Sequence, residues 1–265
     1  MYAFKYHRPP TARTAATLVK RYEDAKFLAG GHTLLPTMKQ RLAQPGHIID
    51  LGACTELRGI ERKGRNIVIG AMTRHADVAS SAVVQEAIPA LAQLAAMIGD
   101  PAVRNRGTLG GSVANNDPAA DYPAACLALN ALIVTNKRKI LADAFFIGMF
   151  ETALEDGEII LKISFPIPAK AGYAKFRNPA SRYALVGVFV SKKAREVRVA
   201  VTGAGEKGVF RSQTLEGVLN AKFGPKSLDG VTIPATGLNS DMHADAAYRA
   251  HLITVMARRA VMAAL

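Results

Sequence analysis

Apolar residues along this chain follow two periods, and the switches between them mark out the elements. In "TARTAATLVKRYEDA", Ala15, Leu18, Val19 and Tyr22 recur at helical spacing, which predicts a helix. "KFLAG" reads as a short buried strand ending at Gly30-Gly31. "TLLPTMKQRLAQP" (33–45) predicts a helix with Thr33 as N-cap and Pro36 in its first turn. "HIIDL" is a second strand, so the first ~55 residues form a β-α-β unit. "NIVIGA" is a strand, and Thr73 opens the helical stretch "TRHADVASS". "VVQEAIPALAQLAAMIG" has helical spacing interrupted by Pro89, and "DYPAACLALNA" is helical. "LIVTN-KRK-ILADAFF" predicts a hairpin, and "GEIILKISFPIP" a strand closed by prolines. Beyond "PIPAKAG" (166–172), the expected domain boundary, "YALVGVFVSKKAREVRVAVTG" predicts an antiparallel pair. Helices are expected near 212–221 and 242–264. The pattern is α+β, in two lobes, without internal repeats.

Composition narrows the function. The 265 residues are 49% hydrophobic, enough for a sizeable core in one large domain or two small ones. No apolar run approaches the ~18–20 residues that span a bilayer. The opening "MYAFKYHRPPTARTAA" lacks the apolar centre of a secretory signal, so a cytoplasmic setting is expected. Cys54 and Cys126 lie far apart and form no metal or redox pair, and an iron–sulfur cluster usually needs four thiolates. The net charge of +13 raises nucleic-acid binding, but the basic residues are dispersed through "YHRPPTARTAATLVKRY", "NKRKI" and "VSKKAREVRVA". An anionic cofactor or an acidic partner protein accounts for the sign equally well.

Two glycine-pair turns carry the candidate chemistry. Ala29-Gly30-Gly31-His32-Thr33-Leu34 joins a strand to a helix. Glycines there permit positive φ and close approach of a phosphate, and successive N–H groups form an anion nest. The plain alternative is a turn that merely needs two glycines. Gly107-Thr108-Leu109-Gly110-Gly111-Ser112 leads into the polar "VANNDPAAD", where Ser112, Asn115, Asn116 and Asp121 can bond phosphate, ribose or ring edges. An Asn/Asp-rich helix-capping loop is the competing reading. Two such loops in one chain point to a shared dinucleotide.

A third glycine pattern, Gly203-x-Gly205-x-x-Gly208 with Asp229 downstream, superficially matches a nicotinamide fingerprint. No helix opens within it, so a hairpin or loop is expected. His7, His32, His47, His75, His243 and His251 show no metal spacing, and no nucleophile elbow is present. No catalytic residue is nominated, which leaves the chemistry to a bound cofactor.

Taken together, "AGGHTLLPTMKQRLAQPGHIIDL", "IVIGAMTRHADV", "IGDPAVRNRGTLGGSVANNDPAADYPA" and "YAKFRNPASRYALVGVFV" resemble the FAD-binding middle subunit of the molybdenum hydroxylases, the aerobic carbon monoxide dehydrogenase and xanthine dehydrogenase group. The resemblance covers nearly the whole chain. It implies a two-subdomain, vanillyl-alcohol-oxidase-like FAD-binding domain over 1–168 (about 1–55 and 56–168), then an α+β lobe over 173–265. It also implies roles for residues. Ala29, Gly30, Gly31, His32, Thr33 and Leu34 make one diphosphate loop; Thr108, Leu109, Gly110, Gly111 and Ser112 make the other. Asp121 matches an acid near ribose and adenine, Ile98 an apolar position beside the cofactor, and Ile160 a backbone contact. Lys175 and Arg177 compete for one basic role, and Tyr183 flanks the isoalloxazine. Thr33 stands where relatives often have serine, the turn near "VTGAGEKGVFRSQ" departs from the family pattern, and no inserted cysteine-rich loop is present.

As the resemblance has it, substrate is oxidised at a molybdenum cofactor on a large subunit. Electrons cross two [2Fe–2S] clusters on a small subunit to FAD here, and leave to an external acceptor. A dimer of heterotrimers is implied, cytoplasmic or peripheral at the inner membrane face. Two other classes stay open: a stand-alone flavin oxidoreductase, which would turn over as an isolated chain, and a basic nucleic-acid module, which would bind with steep salt dependence.

Overall fold

The computed structural model describes residues 1–265. The chain opens with strand β1 (Lys5–His7), helix α1 (Ala12–Arg21), strand β2 (Ala25–Leu28), helix α2 (Leu34–Lys39) and strand β3 (His47–Asp50). The three strands form a parallel sheet in the order β1-β3-β2. Thr11 caps α1 by accepting from the Thr14 N–H, and Ala12, Ala15 and Ala16 bury its inner face. Helix α2 is shorter than its apolar pattern predicts: after Gln40 the chain turns away through Arg41, whose φ of 62° ends the helix. Thr33 holds the N-cap position, but its hydroxyl makes no cap bond and stays exposed.

The second unit begins with β4 (Ile60–Lys63) and β5 (Asn66–Gly70). Helices α3 (His75–Ser80), α4 (Ala82–Ala87), α5 (Pro89–Ala96), α6 (Pro101–Arg104), α7 (Leu109–Asn115) and α8 (Tyr122–Leu129) follow. Pro89 starts a new helix instead of kinking one, because the first helical position needs no N–H donor. Then come β6 (Leu132–Thr135), β7 (Lys139–Leu141), the single turn α9 (Ala142–Phe145), the small hairpin β8 (Phe146–Gly148) with β9 (Glu151–Thr152), and β10 (Ile160–Pro166). The predicted hairpin is β6–β7, and "ADAF" is helical where the pattern suggested a continuing strand. The sheet runs β4-β5-β10-β6-β7, antiparallel throughout. Helix α8 is buried on every side, which explains its lack of a polar face.

At Pro166 the chain leaves this sheet, and at Lys170 it enters another, made of β11 (Lys170–Arg177), β12 (Ala184–Lys192), β13 (Val197–Thr202) and β14 (Phe210–Arg211). Helices α10 (Gln213–Ala221) and α11 (Ala246–Ala263) complete the fold. Helix α11 packs on β11 and β12, while α8 packs on β12 and β13. Strand β12 is therefore buried on both faces, as its unbroken apolar run requires. Tyr173, Phe189 and Ala200 point into the core of the second unit; Val186, Val188 and Val190 point the other way with Ile253 and Met256. The third glycine pattern is the loop between antiparallel β13 and β14, as its sequence predicts. No helix is long and apolar enough to cross a membrane.

Candidate functional site

A cavity of about 770 Å³ lies between the first unit and the second. Cofactor-sized sites span roughly 300–1,000 Å³. One wall is the turn that leaves β2, and its backbone is the site's most telling feature. Gly31 has φ 77°, a conformation that glycine adopts without penalty. After it, Leu35 N–H donates to Gly31 O and Thr37 N–H to Thr33 O. The N–H groups of Gly30, Gly31, His32, Thr33 and Leu34 find no acceptor in the chain. Such a row of donors at a turn entering a helix is an anion nest.

The second turn is built differently. Residues 109–115 are helix α7, so Gly110 and Gly111 sit in its first turn and not in a loop before it. Thr108 is the N-cap and accepts from the Gly111 N–H at 3.2 Å. Leu109 N–H donates to Thr73 O and Gly110 N–H to Ala71 O. These donors are committed, so this wall offers the Ser112 hydroxyl and the Thr108 side chain more than main-chain N–H groups. Gly30 has a further reason to be glycine: a Cβ there would lie 2.4 Å from Arg106 O and 2.7 Å from Gly107 Cα. The first turn therefore rests directly on the segment that leads into the second.

Ala29, Gly30, Gly31, His32, Thr33, Leu34, Ile98, Thr108, Gly110, Gly111, Ser112, Asp121, Ile160 and Tyr183 all line the cavity. Leu109 does not: it is fully buried in the core of the second unit, on the side of α7 away from the wall. Lys175 and Arg177 are also not on the wall. The Lys175 ammonium is wholly buried and donates to both Asp121 oxygens at 2.9 Å and to Met97 O at 3.1 Å. Arg177, at the exposed end of β11, faces solvent. Asn116, nominated as a polar contact, is buried in left-handed conformation, its amide donating to Gly148 O and Glu151 O.

Asp121 is held from two sides, by Lys175 and by the Tyr173 hydroxyl, which donates to the same carboxylate. Burial pushes the Asp121 carboxyl above its usual range, and the ammonium and the phenol work against that. Arg104 donates to Ile98 O and Gly99 O, both at 3.0 Å, and so fixes the segment that places Ile98 on the wall. Tyr183, half exposed at the mouth, has its phenol pushed up by partial burial and by the carboxylates of Asp117 and Asp121. Lys26, His75, Asn115, Asp117 and Arg182 also line the cavity. Asn115 was legible in the polar run after the second glycine pair, and His75 sits inside a motif that carries the resemblance. Arg182 likewise sits inside a stretch that carries the resemblance, and Lys26 had no signal beyond its charge. Cys54 and Cys126 are buried in separate cores; burial pushes the Cys54 thiol up to about 11 and the Cys126 thiol higher.

Fold and site define a class: an α+β protein with a cofactor-sized cavity between two units, one wall of it a glycine turn with a row of unpaired N–H groups. The family described as "FAD binding domain in molybdopterin dehydrogenase" matches residues 2–168, and the chain belongs to that family as the FAD-binding medium subunit of a molybdenum hydroxylase. It is an oxidoreductase subunit. It is 36% identical to the carbon monoxide dehydrogenase medium chain of Hydrogenophaga pseudoflava, over 98% of this chain and 96% of that one. It is also 36% identical to the nicotine 6-hydroxylase medium subunit of Paenarthrobacter nicotinovorans, over 99% and 97%. The solved quinoline 2-oxidoreductase of Pseudomonas putida 86 superposes with a TM-score of 0.89 at 27% identity, covering 99% of this chain and 97% of the matched one.

Proposed function

We propose that this chain is the electron-transfer flavoprotein of a three-component hydroxylase. It receives electrons from two [2Fe–2S] clusters on a small subunit and delivers them to an external acceptor, while substrate is oxidised on a large molybdenum-cofactor subunit. The observation that carries this reading is the run of unpaired N–H groups from Gly30 to Leu34, the donor set an anionic diphosphate needs. Bound FAD supplies the ability to exchange electrons singly and in pairs. The chain's own residues bind and orient it. The Thr33, Thr108 and Ser112 side chains add polar contacts along the diphosphate, and Asp121 accepts from a ribose hydroxyl. Lys175 acts through Asp121 by fixing its orientation. Ile98 and Ile160 keep water from the buried part of the cavity, and Tyr183 covers its mouth. Relatives with near-full-length matches bear the names of medium chains or subunits of two dehydrogenases and a hydroxylase with different substrates, which supports a shared electron-transfer role. A dimer of heterotrimers is the expected assembly.

Two measurements test this. Co-purification with the large and small subunits should give about one FAD per chain, and substrate should bleach it only when the small subunit is present. The second is Gly111→Val. A Cβ on Gly111 would lie 2.8 Å from Thr108 Oγ1 and 3.4 Å from Ala29 Cβ across the gap, so a branched side chain displaces the Thr108 hydroxyl and closes the passage between the two turns. The variant should keep its far-ultraviolet spectrum and lose FAD. Full flavin content in Gly111→Val would remove the second turn from the site.

A further inference from the structure

One buried polar group at the cavity has no task in the fold. His75, the first residue of α3, lines the cavity and is 5% exposed. Its backbone N–H donates to Gly107 O at 3.0 Å, and Leu109 N–H returns to Thr73 O, so the residue is stitched beneath the second turn. Its ring Nδ1 is fully buried and has no hydrogen-bond partner. The Nε2 edge abuts Gly107, where a Cβ would lie 2.5 Å from Nε2. Gly30 of the first turn presses on Gly107 from its own side. His75 thus stands at the point where both turns meet.

Buried polar atoms are nearly always paired, and an orphaned one calls for an explanation. Nε2 also has no hydrogen-bond partner in the chain but, unlike Nδ1, is not sealed, so it is the ring nitrogen that a ligand in the cavity can reach. An unpaired buried N–H is rarer than an under-used acceptor, so Nδ1 carries the lone pair and the proton sits on Nε2, at the Gly107 edge. We propose that His75 is an additional cofactor-contacting residue, an uncharged imidazole whose Nε2–H donates to the diphosphate of the bound dinucleotide where the two turns join. This rests on the FAD reading above. The groups whose charge bears on the ring are His32 from the first turn and Arg104 from α6, and the Tyr122 ring from α8 lies tilted against it with centroids 5.4 Å apart. No carboxylate contributes. Burial first, then those two groups, push the imidazole down to about 4, so it stays neutral at physiological pH. A neutral donor completes an anion site without adding a desolvated charge.

The placement predicts a division between stability and binding that a merely structural ring would not show. His75→Phe keeps the ring volume against Tyr122 and Gly107 but removes both nitrogens. Its apoprotein should melt at or above the wild-type temperature, because an orphaned polar atom has gone, while FAD binds at least roughly tenfold more weakly. His75→Gln, which restores an N–H, should recover most of the affinity. ADP-ribose, which carries the diphosphate without the flavin, should show the same order. Wild-type affinity in His75→Phe overturns the proposal. Should that variant fail to fold, nitrogen NMR of wild type with labelled histidine decides: adding FAD must shift the His75 Nε2 resonance, with the ring neutral from about pH 6 to about pH 8. An unmoved resonance overturns the proposal as well. If wild type binds neither FAD nor ADP-ribose, the FAD reading itself has failed, which is a separate outcome.

Discussion

At the residue scale, the buried pair Asp121–Lys175 tethers the cavity wall to the C-terminal sheet. Lys175 spends all its donors on Asp121 and Met97 O, so it orients two wall segments at once. Lys175→Met leaves a carboxylate buried without its partner and should destabilise the chain by about 3–5 kcal/mol, read from urea unfolding. Lys175→Met combined with Asp121→Leu should recover much of that loss, because no uncompensated charge remains. His75 gives a prediction in pH. Folded, its imidazole ionises only near 4; unfolded, near the ordinary histidine value of 6.5. Below about 6.5 the unfolded chain therefore binds a proton that the folded chain refuses, and stability falls until pH reaches about 4. Relative to pH 7.5 and above, wild type at about pH 5 should lose about 2 kcal/mol more than His75→Phe. Equal losses in the two proteins would show that the ring is not held neutral. Asp121 was legible in "NNDPAAD", but its partner lies 54 residues away on another sheet, and no local pattern couples them.

At the scale of elements, the two glycine turns proved unequal. Both were visible in the sequence as glycine pairs before a hydroxyl. The first is a turn with free N–H groups; the second is the opening of a helix whose N–H groups are already bonded to Ala71 O, Thr73 O and Thr108. That difference depends on which strand lies alongside, and so it could not be read from the glycines. Gly30 shows the same limit. Its glycine serves contact with Arg106 and Gly107, a packing need set by chain far away in sequence, besides any phosphate. Gly30→Ala should accordingly cost about 1–3 kcal/mol of apoprotein stability, measured by thermal or urea unfolding, before any cofactor is added. An unchanged apoprotein would mean that the turns do not touch. Most strands and helices were predicted because their periodicity is strong. The boundaries that shifted are those set by a left-handed residue, Arg41, or by one short helical turn after β7.

For the whole molecule, the sheet change between Pro166 and Lys170 separates two architectures, and the C-terminal sheet contributes to the cores on both of its faces. Tyr173, Phe189 and Ala200 from the C-terminal sheet pack into the second unit, and Lys175 reaches the cavity wall from the same sheet. The strand and helix pattern suggests two lobes but gives no sign of this shared packing, since it depends on which face of β12 and β13 meets α8. The N–H row from Gly30 to Leu34 is expected to grip a dinucleotide by its diphosphate, and the most direct measurement compares ligands with and without that group. The purified chain, stripped of flavin, is titrated with FAD, ADP-ribose and riboflavin under identical conditions. FAD should bind at one site and be displaced by ADP-ribose, and riboflavin should bind at least roughly a hundredfold more weakly, the loss of two charge-assisted hydrogen bonds. Riboflavin binding as tightly as FAD, or FAD not binding at all, would contradict the account.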